Sequence, residues 1–168
     1  MIAVLMSIHP GPVQQIFTHR KIIEARKNFA VKSRIQAPFR VYVYETKGTT
    51  DEPWEDEKGH IVFKGRGLVV GEFTCTGFCR IMDLPEESGD VFGPIFYAHA
   101  IKAAYLTEDQ VKAYGNGKPV YGWMIGDVRE YREPKTIRSM NFANTTTIPR
   151  RRIELPPQSW CYVEVPDE

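Results

Sequence analysis

Phe39-Arg40-Val41-Tyr42-Val43-Tyr44 sets Phe39, Val41 and Val43 against Arg40, Tyr42 and Tyr44. This two-residue period is that of a β-strand, and β-branched and aromatic side chains suit a pleated, half-buried surface. Upstream, Lys21-Ile22-Ile23-Glu24-Ala25-Arg26 reads as a second strand, with Ile23 and Ala25 on one face and Glu24 and Arg26 on the other. Pro10 and Pro12 open a brief helix before it, with Val13, Ile16 and Phe17 at helical spacing. Ile2 to Ile8 is a short apolar run suited to a buried strand. Downstream, Thr46 to His60 is rich in acids, glycine, threonine and proline and predicts a loop or loose hairpin tip. Leu68 to Thr74 predicts a strong strand that can run on, bent at Gly77, to Met82. Pro94 to Gly115 is the long helical stretch, with Thr107, Asp109 and Gln110 as a helix start and Gly115 as a stop. Val120 to Tyr131 alternates again, Asn141 to Pro149 is a loop, and Gln158 to Val165 is a closing strand.

The order is therefore β-α-β-β-β-α-β-β. Several short strands with turn signals between them cannot all be parallel crossovers. An α+β fold is expected, a small, mostly antiparallel open barrel with short helices. No repeat, low-complexity tract or linker interrupts residues 1–168, which read as one domain.

The chain is 42% hydrophobic and 26% charged over 168 residues, which excludes global disorder and supports one real core. No apolar run approaches the roughly 20 residues of a membrane span. Ile2 to Met6 lack the basic flank and small-residue cleavage site of a secretory signal. The three cysteines, Cys75, Cys79 and Cys161, cannot form a closed disulfide framework. A cytoplasmic protein with no membrane association is expected.

Net charge is +1, from 22 basic and 21 acidic residues, but the signs are segregated. Arg20, Lys21, Arg26, Lys27, Lys32, Arg34 and Arg40 face the single acid Glu24 in one block. Arg129, Arg132, Lys135, Arg138, Arg150, Arg151 and Arg152 form the other, against Glu130 and Glu133. The acids gather in 51–57 and 83–90. Two basic blocks build one anion-facing patch if the fold brings them together; otherwise they are ordinary solvated faces.

Gly65-Arg66-Gly67 and Gly115-Asn116-Gly117-Lys118 lack phosphate-loop spacing and read as turns. Cys75 and Cys79 can share a strand face, but His9, His19, His60 and His99 show no paired spacing, so no metal or other cofactor is expected. The charged constellation is Lys21, Glu24 and Arg26 with Arg20 beside them. It reads either as a structural salt-bridge cluster at a strand edge or as a site for an anion or polar heterocycle, with arginine as fork. Aromatics that lie in or near strands (Tyr42, Tyr44, Phe63, Phe73, Phe78, Tyr121, Trp123, Tyr131, Trp160 and Tyr162) are mostly core, and any that border the basic cleft offer stacking faces for bases. Arg150, Arg151 and Arg152, between Pro149 and Pro156-Pro157, form a short stiffened arm. They rim the same cleft if the closing strand pairs beside the strand carrying Glu24 and Arg26.

Leu5-Met6-Ser7-Ile8-His9-Pro10, the short helix, and Lys21-x-x-Glu24-x-Arg26 together resemble the ASCH (activating-signal-cointegrator homology) domain of the PUA-like superfamily, whose pattern here is Gly-x-Lys-x-x-Glu-x-Arg. Val41 to Thr46, Val69 to Phe73 and Pro156 to Glu164 resemble small ASCH proteins of bacteria and phages, so the likeness spans nearly the whole chain. His19 stands at the pattern's glycine position. The resemblance implies a small PUA-like β-barrel, mixed or antiparallel, with flanking short helices and the motif in a cleft between barrel and helix. It implies RNA or a nucleotide-like ligand as partner. Arg20, Lys21, Glu24, Arg26, Arg150, Arg151 and Arg152 are the expected nucleic-acid contacts. Some members resemble amidohydrolases that deacylate N4-acylated cytidine with a lysine, a threonine and a glutamate. Lys21 matches the lysine, Glu24 stands in the threonine's place, and Ile101 to Tyr105 hold no matching glutamate. Other members resemble ribonucleases. A binding module is the leading expectation, and Lys21 is the catalytic candidate under the hydrolase alternative.

Overall fold

The apolar run Ile2–Ile8 forms β1, buried along nearly its whole length because strands flank it on both sides. In the computed structural model, residues 1–30, 34–48, 54–55, 59, 61–62, 64–84, 93–143 and 151–165 are described. Lys32, Phe63 and Arg150, and most of the acidic stretches 51–57 and 83–90, lie outside them. The remaining elements follow as α1 (Pro10–Phe17), β2 (Ile23–Arg26), β3 (Phe39–Glu45), β4 (Trp54–Glu55), β5 (Ile61–Val62), β6 (Leu68–Asp83), β7 (Ile95–Phe96), α2 (Ala98–Ala103), α3 (Glu108–Gly115), β8 (Val120–Lys135) and β9 (Trp160–Glu164). A single 3₁₀ turn, Ile137–Ser139, follows β8. Among the described residues no helix is long and apolar enough to cross a membrane.

Seven strands form a mixed sheet in the order β2-β8-β6-β3-β1-β9, with β7 on β6, while β4 and β5 pair separately. β1 runs parallel to β3, Val4 opposite Val41 through Ile8 opposite Glu45, and antiparallel to β9. The α+β class with short helices is the one the sequence implies. The sheet is not closed into a barrel: among the described residues its pairing path ends at β2 and at β9. β2 is only four residues long, and the Ile22 N–H just before it goes to the Ala103 carbonyl at 3.0 Å rather than to a further strand.

The chain gathers into two compact units, 1–19 with 39–74 and 127–168, and 20–38 with 75–126. The first has a core of Ala3, Leu5, Tyr42, Tyr44, Val69, Met140, Ile153 and Val163. The core of the second is Ile23, Ile81, Met82, Ala100, Ile101, Ala104, Val111 and Val120.

The long helical stretch predicted over 94–115 is broken in two. Tyr105 takes a left-handed φ of 58°, ending α2, and Thr107 then caps α3 through a capping box with Gln110. Gly115 is not the left-handed stop; Asn116 is, at φ 48°. At Gly115 the chain packs closely instead: a Cβ there would stand 2.5 Å from Met82 Cε and 3.1 Å from Val120 Cγ2, so the methionine end would have to move.

Candidate functional site

Where α2 stops, its last carbonyls have no partner within the helix. The segment entering β2 takes them: Ile22 N–H bonds Ala103, and Lys21 Nζ donates to the Ala104 carbonyl at 2.6 Å. The turn feeding this segment has His19 at φ 59°, a left-handed conformation that explains why glycine suits the position. Lys21 therefore precedes the strand rather than beginning it, and its ammonium is drawn inward.

Lys21, Glu24 and Arg26 form one buried cluster, with side chains 4%, 8% and 9% exposed. Glu24 lies between the cations, Oε2 at 3.4 Å from Lys21 Nζ and Oε1 at 3.0 Å from Arg26 Nη2. Glu24 Oε2 accepts no hydrogen bond among the described residues. Two buried cations against one carboxylate leave one net positive charge out of bulk water. Coulomb interactions are strong in such a setting, so an anionic or strongly polar ligand group is the natural complement.

Tyr114 of α3 borders the cluster. Burial pushes its phenol above the ordinary value, with the Arg26 cation opposing and Glu24 adding to the rise. Lys27 Nζ sits 5.2 Å from the centroid of the same ring. Across the β2–β8 ladder Glu24 is opposite Trp123 and Arg26 opposite Tyr121, so these four side chains share one face of the ladder. Trp123 is wholly buried and donates its Nε1–H to the Asn28 carbonyl at 3.0 Å.

The structure thus brings together three of the sequence-predicted residues. Arg20 is exposed in the turn before them. Arg151 and Arg152 are exposed in the other unit, on an arm bonded by Phe142 N–H to the Arg151 carbonyl and by an Asn141–Arg152 bridge. Arg151 lies over the Phe142 ring at 5.6 Å. The pairing on which a shared cleft depended is corrected: β9 pairs with β1, and β2 pairs with β8. β9 takes the edge of the apolar β1 that β3 leaves open and so completes the burial of β1.

Ala104 and Tyr114 had no signal in the local sequence, since both reach the cluster through tertiary contact. The cysteines are poor nucleophiles: burial pushes the Cys75 and Cys161 thiols up to about 11 and raises Cys79 as well.

The crystal structure of an ASCH protein from Zymomonas mobilis matches this chain with a TM-score of 0.59 at 17% identity, covering 96% of this chain and 87% of that one. A serine-to-alanine variant of the same protein matches with a TM-score of 0.60 at 18% identity, over 96% and 88% of the two chains. A tyrosine-to-phenylalanine variant gives 0.56 at 17%, over 96% and 90%. At such identity the likeness establishes a shared fold. No protein-family model and no curated protein sequence matches the chain.

Proposed function

We propose that this chain, which has the fold of the ASCH structures, binds RNA or a nucleotide-like ligand at the Lys21–Glu24–Arg26 cluster. The observation that carries the reading is the buried two-to-one excess of cation over carboxylate at the edge strand β2. A buried surplus of positive charge of this kind is complementary to a phosphate or to the acceptor edge of a base. Arg20, exposed in the turn before the cluster, supplies a further phosphate contact in this reading.

Binding of single- and double-stranded RNA, measured at low salt and through a salt titration, tests it. Affinity is expected to fall steeply as salt rises. Arg26→Lys keeps the charge but removes the planar fork, and should weaken binding more than loss of the exposed Lys118. Absence of salt-sensitive binding to any RNA refutes the reading.

One observation favours a second reading, hydrolysis of an acylated nucleoside or of RNA. Lys21 Nζ stands 3.4 Å from the Glu24 carboxylate in a buried setting, a pairing suited to proton exchange during amide cleavage. Incubation with N4-acylcytidines and with labelled RNA, followed by chromatography, decides it. Turnover that disappears in Lys21→Ala establishes a hydrolase; no product leaves the binding module.

A further inference from the structure

On the face of the β2–β8 ladder that carries Arg26, a cavity of about 680 Å³ opens within the second unit, lined by Phe29, Gln36, Phe78, Cys79, Arg80 and Tyr121. The volume falls in the range of small-molecule sites. Its aromatic walls touch at their edges without filling the space: Phe29 and Tyr121 centroids are 5.0 Å apart at 71°, and Phe29 and Phe78 are 5.5 Å apart at 44°. Phe78 in turn packs edge-on against the buried Trp123 at 5.0 Å, which anchors that wall to the interior. Phe29 is 42% exposed, a large apolar ring left in water although aromatic neighbours adjoin it. The Arg80 guanidinium lies 6.0 Å from the Tyr121 centroid and is held by Asp83.

We propose that this cavity is a stacking site for one unpaired nucleobase. The inference deepens the nucleic-acid reading above and rests on it for the phosphate. The ligand chemistry follows from the walls. Aromatic rings and a guanidinium plane attract a flat π-system, and every base presents one. The exposed Gln36 amide offers both a donor and an acceptor to a base edge. Tyr121, in the wall, is the ladder partner of Arg26, so the cavity and the cationic cluster lie on the same face of the β2–β8 ladder. Bases inside a duplex have their faces covered, so the cavity selects single strands.

Labelled single-stranded RNA hexamers, a hairpin duplex, nucleoside monophosphates and an uncharged nucleoside form the test, each titrated against the full chain, Phe29→Ala and Phe29→Trp. Phe29 is half in solvent, so these variants are expected to fold, which circular dichroism checks. Single strands should bind more tightly than the duplex. Phe29→Ala should lower single-strand affinity about tenfold to a hundredfold while leaving the slope of log affinity against log salt unchanged, and Phe29→Trp should restore it. Competition by monophosphates supports the free nucleotide as the source of the base; its absence beside tight hexamer binding supports a base within a strand. Salt-sensitive RNA binding that ignores Phe29 and does not distinguish strand from duplex overturns the cavity's role and spares the cationic site. Phe29-dependent binding of the uncharged nucleoside with no salt-sensitive RNA binding does the reverse.

Discussion

Replacing Glu24 by glutamine keeps the side chain's size and removes only its charge. Each of its two ion pairs, at 3.4 Å to Lys21 and 3.0 Å to Arg26, is worth roughly 5 kcal/mol of Coulomb attraction at an effective dielectric near 20. Most of that attraction offsets the desolvation of three buried charges. Take the carboxylate away and the desolvation of the two cations remains, now joined by their mutual repulsion. Removing one member of such a buried cluster typically destabilises by about 3–5 kcal/mol. For a chain of this size that is a fall in Tm of roughly 6–20 °C. Lys21→Met should be milder, because it leaves the neutral pair Glu24–Arg26 and orphans only the Ala104 carbonyl. The double variant Lys21→Met/Glu24→Gln should lose less than the sum of the singles, since the two side chains share one interaction. Urea unfolding at pH 7, with matched m-values, measures all three. A Glu24→Gln protein within about 1 kcal/mol of wild type, or one more stable than Lys21→Met, refutes the electrostatic account of the cluster.

Gly122→Ala would place a Cβ 2.5 Å from Ile23 Cγ2 and 2.6 Å from Cys79 Sγ, so a loss of about 1–3 kcal/mol is expected, and an unchanged Tm contradicts it. The Cys75 and Cys161 thiols ionise near 11 in the fold against an ordinary 9.0. The unfolded chain releases those protons first, so their contribution is full below pH 9 and is lost between about pH 9 and 11. The urea midpoint of wild type should therefore fall more steeply across that window than that of Cys75→Ala/Cys161→Ala, and parallel curves would disprove it. If the arginine arm contacts phosphate, Arg151→Ala/Arg152→Ala flattens the slope of log affinity against log salt by roughly one to two units; an unchanged slope with an unchanged fold places the arm elsewhere.

Much of the element order is legible in the sequence because the signals are local. The alternation of Phe39 to Tyr44 and of Val120 to Tyr131, the prolines opening α1 and the Thr107–Gln110 box each depend on a few neighbours. The spacing of Lys21, Glu24 and Arg26 is local too, which is why those three candidates meet in one cluster. The start of α3 at Thr107 was legible, but the end of α2 was not, since nothing in the local sequence marks a tyrosine for a φ of 58°. The partners of the cluster are equally remote in sequence: the Ala104 carbonyl lies 83 residues from Lys21, and Trp123 and Tyr121 meet β2 only across a strand ladder. That β9 joins β1 rather than β2, and that the sheet stays open, follows from which apolar faces bury one another best. Local sequence determines the torsional preferences and the period of each segment. The choice of edges that pair, and of the charges that are buried together, rests on long-range surface burial and on backbone groups finding partners far along the chain, and only the assembled tertiary structure decides it.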